Sequence, residues 1–239
     1  MPRHERFVSH IDILGMSTLV EKNAELAWQV LSDLVSVRDR VNSYELTFLD
    51  TADRTTVPSQ VHCVTFSDTI VLFSKGESLI DLRTILVATT EILHKAICSC
   101  VPVRAGVAHG TFFFNLGASM YAGPALIEAY RLGEGAQWLG IRTSESVHIR
   151  SKHAELKSGS ADIVVPARIP VDGGVMDGFA VNWPAIVSRD LKIKPPVSVQ
   201  QFYAGFEHLF GPFEALPERA RQKYENTVLF LNSHVLEGA

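Results

Sequence analysis

Two aspartates carry the chemistry that this sequence has to offer. Asp12 stands near the end of an apolar run, Phe7-Val-Ser-His-Ile-Asp-Ile-Leu-Gly15, and Asp68 stands in the polar pair Ser67-Asp68 between two β-rich stretches. Taken singly, each is an ordinary residue for a strand end or a turn, because Asp forms local hydrogen bonds that favour turns. Brought together, two carboxylates repel unless a cation lies between them. Mg²⁺ and Mn²⁺ are hard ions that take oxygen ligands, commonly one or two carboxylates plus substrate phosphates. Gly15 permits a tight turn into a helix after Asp12, so the backbone N–H groups of Gly15, Met16 and Ser17 are offered to phosphate oxygens. One strand end would then hold both metal and phosphate, which points to a nucleotide.

The surrounding elements must bring the two carboxylates together. Residues 7–15 read as a short apolar strand. Over 19–41 apolar residues recur at helical spacing, with Ala27, Val30, Leu31, Leu34 and Val35 on one stripe. Residues 61–66 and 69–73 are the arms of a tight hairpin with Asp68 at its tip. A second helix runs from Ser78 to about Cys98 and is ended by Pro102. Strand character returns over 101–114, with Gly110 expected as a bend or hairpin. A helix after Tyr121 carries Leu126, Ala129 and Leu132 on one side and Arg131 among them. Short strands follow at 161–165 and 179–181 around a Gly173-Gly174 turn, and an amphipathic helix over 217–236 closes the chain. This order predicts a ferredoxin-like α+β fold, a mainly antiparallel sheet covered on one face by helices. In that topology the first strand lies beside the hairpin, so Asp12 meets Asp68.

Composition bounds the rest. The chain has 239 residues, 46% hydrophobic and 20% charged, which excludes disorder, collagen-like repeats and a coiled coil. With no internal repeat or linker, the division expected is one domain over 1–239, its core at about 7–185 and a C-terminal helical elaboration at about 186–239. Twenty-two Lys+Arg against 26 Asp+Glu leave a net charge of -4, against a nucleic-acid partner. Cys63, Cys98 and Cys100 are odd in number and lack redox or zinc spacing, so they read as reduced. No apolar run approaches the roughly 18 residues of a membrane span, and the polar first residues do not read as a signal peptide. The expectation is a cytoplasmic protein with no membrane partner.

Three stretches resemble the class III nucleotidyl cyclases. Phe7-Val-Ser-His-Ile-Asp12-Ile-Leu-Gly15-Met-Ser17 is similar to that family's first-strand signature. Phe66-Ser67-Asp68-Thr-Ile-Val-Leu-Phe73 resembles its metal-binding hairpin, with Ser67 where Gly is usual. Val103-Arg104-Ala-Gly106-Val-Ala-His-Gly110 and Tyr121-Ala-Gly123-Pro-Ala-Leu126-Ile127-Glu-Ala129-Tyr-Arg131 resemble the strand and helix that lead to its catalytic arginine. The resemblance implies two Mg²⁺ or Mn²⁺ ions held by Asp12, Asp68 and the Ile13 carbonyl. It also implies a head-to-tail homodimer with composite sites, in which Arg131 reaches the phosphates bound by the other subunit.

The departures from the family pattern narrow the substrate. Ile127 falls where an Asn usually orients the ribose, and the two purine-reading positions fall on Val64 and Met120. Neither side chain hydrogen-bonds a base edge, and a buried polar edge left unpaired costs roughly 1–3 kcal/mol per group. Together with Phe179-Ala-Val-Asn-Trp-Pro184, this resembles the stand-alone pyrimidine cyclases of bacterial Pycsar antiphage systems. The resemblance implies UTP, or alternatively CTP, as substrate and a cyclic messenger that acts on a separate effector protein. An inactive nucleotide-binding relative is the other alternative.

Among the remaining residues, His62 and His109 are close enough to these motifs to approach a nucleotide, although a lone His beside strand residues more often serves packing. Phe112-Phe113-Phe114 is expected in the core or a dimer interface, and Trp183 as a packing anchor. Lys152, Lys157 and Lys192 are candidates for the terminal phosphates by position alone.

Overall fold

A computed structural model describes residues 4–43, 61–187 and 196–234. The chain begins with β1 (Glu5–Ile13), then α1 (Met16–Lys22) and α2 (Ala24–Ser43). The hairpin β2 (Val61–Phe66) and β3 (Thr69–Ser74) leads to α3 (Leu79–Cys98) and β4 (Val103–Thr111). A small hairpin, β5 (Phe113–Asn115) and β6 (Met120–Ala122), precedes α4 (Pro124–Gly135), β7 (Ile141–Thr143) and α5 (Glu145–His153). Next come β8 (Lys157–Ser158), β9 (Ala161–Asp162), β10 (Val164–Val171), β11 (Gly174–Val181) and α6 (Trp183–Val187). The last helices are α7 (Val199–Tyr203), α8 (Glu207–Phe210) and α9 (Glu218–His234).

Seven strands form one sheet in the order β10-β11-β7-β4-β1-β3-β2. Every pairing is antiparallel except β4 with β7. Alternate side chains of a strand face opposite sides of a sheet, and here both sides are apolar. Phe7, Ile11 and Ile13 join Leu82, Ile85 and Ile92 of α3 in the larger core. Val8, Phe73 and Ala108 pack instead against Ala125 and Ala129 of α4. Helices therefore cover both faces, which corrects the one-face expectation. Small residues make the second contact possible. A Cβ on Gly106 would lie 2.1 Å from the Ala129 carbonyl oxygen and 2.7 Å from the Gly133 nitrogen, so α4 reaches the sheet only because Gly106 lacks one.

The helix expected over 19–41 is broken at Asn23, whose backbone is extended and whose side chain accepts from the Leu26 N–H at 3.0 Å, as a cap does. Gly110 is no bend: β4 runs through it in register with Arg6, and the chain turns after Thr111. The strand expected at 161–165 is split: Ala161–Asp162 pairs with β8 in a small hairpin of its own, and from Val164 the chain runs into β10, which forms a long hairpin with β11, the strand expected at 179–181. Pro166 and Pro170 fit in β10 because it is an edge strand, where missing N–H donors can face away from the ladder. Side chains of α7 and α9, including Phe202, Tyr224 and Phe230, belong to the same buried cluster as Ile11.

Candidate functional site

Strand pairing brings the two aspartates together. Asp12 is the Cα partner of Thr69 in β3 and of Arg104 in β4. The next residue, Ile13, donates its N–H to the Asp68 carbonyl at 2.9 Å, which fixes the hairpin tip beside the end of β1. Ser67 turns that tip with φ 56, in the left-handed region that glycine adopts most readily, so the conformation usual for Gly is kept by a Ser. The Asp68 carboxylate is half-buried and has no hydrogen bond or ion pair among the described residues.

Asp12 lies on the α4 side of the sheet, as does Arg104 opposite it. The Arg104 Nε donates to Asp12 Oδ2 at 2.9 Å, its Nη2 donates to the Glu134 carboxylate, and its Nη1 donates to the Glu134 carbonyl at 2.9 Å. Burial raises the Asp12 carboxyl above the usual range, the Arg104 charge opposes that shift, and the nearby Glu134 carboxylate adds to it. Beside them His10 packs edge-on against Tyr130 of α4 with ring centres 5.2 Å apart. Burial pushes its imidazole below the ordinary range. Arg104 thus joins two carboxylates, Asp12 and Glu134, while Asp68 is held beside the end of β1 through its backbone carbonyl; among the described residues no three His, Cys, Asp or Glu side chains are grouped to hold a metal ion. The donors nearest the Asp12–Asp68 junction are carboxylate and carbonyl oxygens without sulfur, a set whose chemistry suits a hard divalent cation better than zinc or iron.

Gly15 follows with φ 71 and starts α1; a side chain there would meet the Phe210 ring at 2.9 Å. Met16 is buried, whereas Gly15 and Ser17 are exposed. A cleft of about 250 Å³ opens beside this turn, lined by Leu14, Gly15, Pro102, Phe210, Lys223 and Tyr224 among others. Lys223 comes from α9. Its ammonium is pushed below the ordinary range by burial and by the charges of Arg104 and Arg219, against Asp172 and Asp12.

Other expected residues stand elsewhere. Arg131 and Ile127 lie one helical turn apart on the outward side of α4; both are exposed, Ile127 by 52%. Ala129, between them, is fully buried against the sheet, and two positions along a helix is about 200° of rotation, so Arg131 stands on the solvent side of α4, with no hydrogen bond or ion pair among the described residues. Val64 is half-buried on β2, and Met120 is 66% exposed on β6. His62 stacks on Phe73. His109 belongs to the opposite face: its Nδ1 lies 3.2 Å from Ser146 Oγ and its Nε2 3.5 Å from Glu77, so it does not reach the aspartates. Phe112 and Trp183 are buried, whereas Phe113 is half-exposed. Lys152 and Lys157 are exposed on α5 and β8 and bond to neither aspartate, and Lys192 lies outside the described residues. No described helix is long and apolar enough to cross a membrane.

Sequence reasoning passed over Arg104, Glu134 and Lys223 as members of this cluster. Arg104 carried a signal, as a charged residue inside an apolar strand. Lys223 carried none, because its place depends on how the last helix folds back.

No protein-family model and no curated protein matches the chain. Among solved structures, the catalytic core of a rhodopsin-guanylyl cyclase with converted specificity, in complex with ATPαS, matches with TM-score 0.53 and 13% identity over 75% of this chain and 95% of that one. An adenylate/guanylate cyclase/hydrolase from Silicibacter pomeroyi matches at 15% identity over 76% and 98% of the two chains, with TM-score 0.49. A class III adenylyl cyclase-like ATP-binding protein from Pseudomonas aeruginosa matches at 13% identity over 62% and 35%, with TM-score 0.41. The first of these likenesses establishes the fold: this chain has the α+β architecture of a class III cyclase catalytic domain.

Proposed function

We propose that the chain is a nucleotide cyclase that converts UTP to 3′,5′-cyclic UMP and pyrophosphate, a second messenger of bacterial antiphage (Pycsar) defence read by a separate effector protein. The observation that carries the cyclase reading is the meeting of Asp12 and Asp68 beside the Gly15 turn, on a cyclase fold. The pyrimidine assignment rests on Val64 and Met120, which offer no side-chain hydrogen bonds to a purine edge.

In the reaction the ribose 3′-oxygen attacks the α-phosphorus as its proton leaves, the bond to the bridging oxygen of the β-phosphate breaks, and pyrophosphate departs with the electron pair. Asp12, Asp68 and the Ile13 carbonyl would hold two Mg²⁺ or Mn²⁺ ions, which when bound acidify the 3′-hydroxyl and neutralise the leaving group. Arg104 fixes the Asp12 carboxylate in place. The backbone of Gly15, Met16 and Ser17 offers N–H groups to the phosphates. Arg131, exposed and without a side-chain partner among the described residues, fits a role in a second copy's site, where a guanidinium grips the phosphate oxygens in two places. Exposed apolar side chains near that helix, Met120, Ile127 and Tyr130, support a head-to-tail homodimer that would cover them.

The test is to incubate the chain with each of the four nucleoside triphosphates and Mn²⁺ and to weigh the products. Cyclic UMP from UTP is expected. Cyclic CMP from CTP would shift the assignment to a cytidylate cyclase, a cyclic purine nucleotide would overturn the pyrimidine reading, and no cyclic product would overturn the cyclase. Ile127 favours one second reading, an inactive nucleotide-binding pseudo-cyclase, because it removes the amide that orients the ribose. That reading requires Mn²⁺-dependent nucleotide binding without turnover.

A further inference from the structure

We infer that Lys223 of α9 receives the terminal phosphates of the nucleotide, so that the C-terminal helix completes the site of its own subunit. The inference rests on the cyclase reading above and adds to it a residue from outside the three motifs. Lys223 lines the cleft of about 250 Å³ that opens onto Leu14 and Gly15, the turn directly after Asp12. The position of α9 is fixed from the other side. Thr227 Oγ1 accepts from the Leu139 N–H at 2.7 Å, and Asn226 Nδ2 donates to the Gln137 carbonyl at 2.7 Å. One turn earlier on the helix, Lys223 is thereby held over the cleft.

No carboxylate is bonded to the Lys223 ammonium among the described residues, although Asp172 and Asp12 act on it from a distance. Arg104 is satisfied by Asp12 and Glu134, and Arg219 by Asp172 at 2.8 Å. The Lys223 ammonium has no hydrogen bond or ion pair among the described residues, although it is half-buried and feels the positive charge of both arginines. A partly desolvated cation next to like charges is unfavourable unless a negative group joins it. Phosphates lying along the Gly15 turn would enter this position, since Gly15 and Lys223 border the same cleft. A compact ammonium with three donors suits a terminal phosphate, which needs a point charge rather than a planar fork.

The experiment uses the full chain, its Lys223→Met and Lys223→Arg variants, and inorganic tripolyphosphate as the probe, titrated by calorimetry with Mn²⁺ present. Met keeps the aliphatic stem, and the lysine has no side-chain partner to lose, so the melting temperature should be unchanged. Tripolyphosphate affinity is expected to fall about 10- to 100-fold in Lys223→Met, the usual worth of a charge-assisted hydrogen bond, and to be largely restored in Lys223→Arg. The KM for the cyclised nucleotide should rise in parallel while kcat changes little, because the interaction is present in both ground and transition states. Unchanged tripolyphosphate affinity in Lys223→Met would overturn the inference and leave the cyclase reading standing. Lys223-dependent binding in a wild-type chain that cyclises none of the four nucleotides would do the reverse.

Discussion

Arg104 and Asp12 face each other across β4 and β1 with Nε 2.9 Å from Oδ2, and the same guanidinium holds Glu134 at the end of α4. One buried side chain thus ties both central strands to the helix that bears Arg131. It also supplies positive charge to the carbonyls at that helix's C-terminal end, where the peptide dipoles favour a cation.

Replacing Arg104 with Met leaves two carboxylates close together without their shared cation. Arg104 is only 8% exposed, so the loss belongs to the class of broken buried pairs, about 3–5 kcal/mol. Urea unfolding of Arg104→Met measures it. A loss under about 1 kcal/mol, the worth of a surface pair, would contradict the network's role.

Gly106 sets how closely α4 approaches the sheet. Gly106→Ala forces a methyl to within 2.1 Å of the Ala129 carbonyl oxygen, so the helix must shift. Overpacking of this kind costs about 1–3 kcal/mol or more, and each kcal/mol lowers the melting temperature by about 2–4 °C in a chain of this size. Gly110→Ala is the control, because its methyl would meet Ala125 at an ordinary 3.8 Å. Equal melting temperatures for the two variants would refute the close approach.

His109 predicts a pH dependence. Burial and the Arg150 charge hold its imidazole below the ordinary value, more strongly than Glu5 and Glu77 raise it. In the window between the folded value and the unfolded value of about 6.5, the unfolded chain binds more protons, so stability falls as pH falls. His109→Gln removes this contribution. Melting curves from pH 7.5 to 5 should have a shallower acid slope in the variant than in the wild type; a steeper one would reverse the assignment.

Much of the site was legible because strand pairing follows from hydrophobic pattern. Once residues 7–13 and the hairpin are strands of one antiparallel layer, Asp12 and Asp68 must approach, whatever the details of packing. The cross-strand partner of Asp12 was not legible, since register between β1 and β4 depends on tertiary contacts. Nor was the side taken by α4. The order of elements does not say on which face a helix crosses, and the clue, small residues at Gly106, Ala125, Ala129 and Gly133, acquires meaning only when the two surfaces meet. Pro166 and Pro170 hid β10 for a related reason: proline argues against a strand until that strand is known to lie at an edge.

The most direct test of composite two-metal catalysis mixes two inactive variants. Asp12→Ala lacks a metal ligand and Arg131→Ala lacks the guanidinium, so each homodimer should be silent in Mn²⁺. After equal mixing and subunit exchange, half the dimers carry one variant of each kind, and each of those retains one site with intact carboxylates and an intact arginine. Cyclase activity should return to about a quarter of the wild-type level, the share of intact sites in a random two-fold dimer. A mixture that exchanges subunits yet stays inactive, or an Arg131→Ala homodimer as active as wild type, would contradict the account.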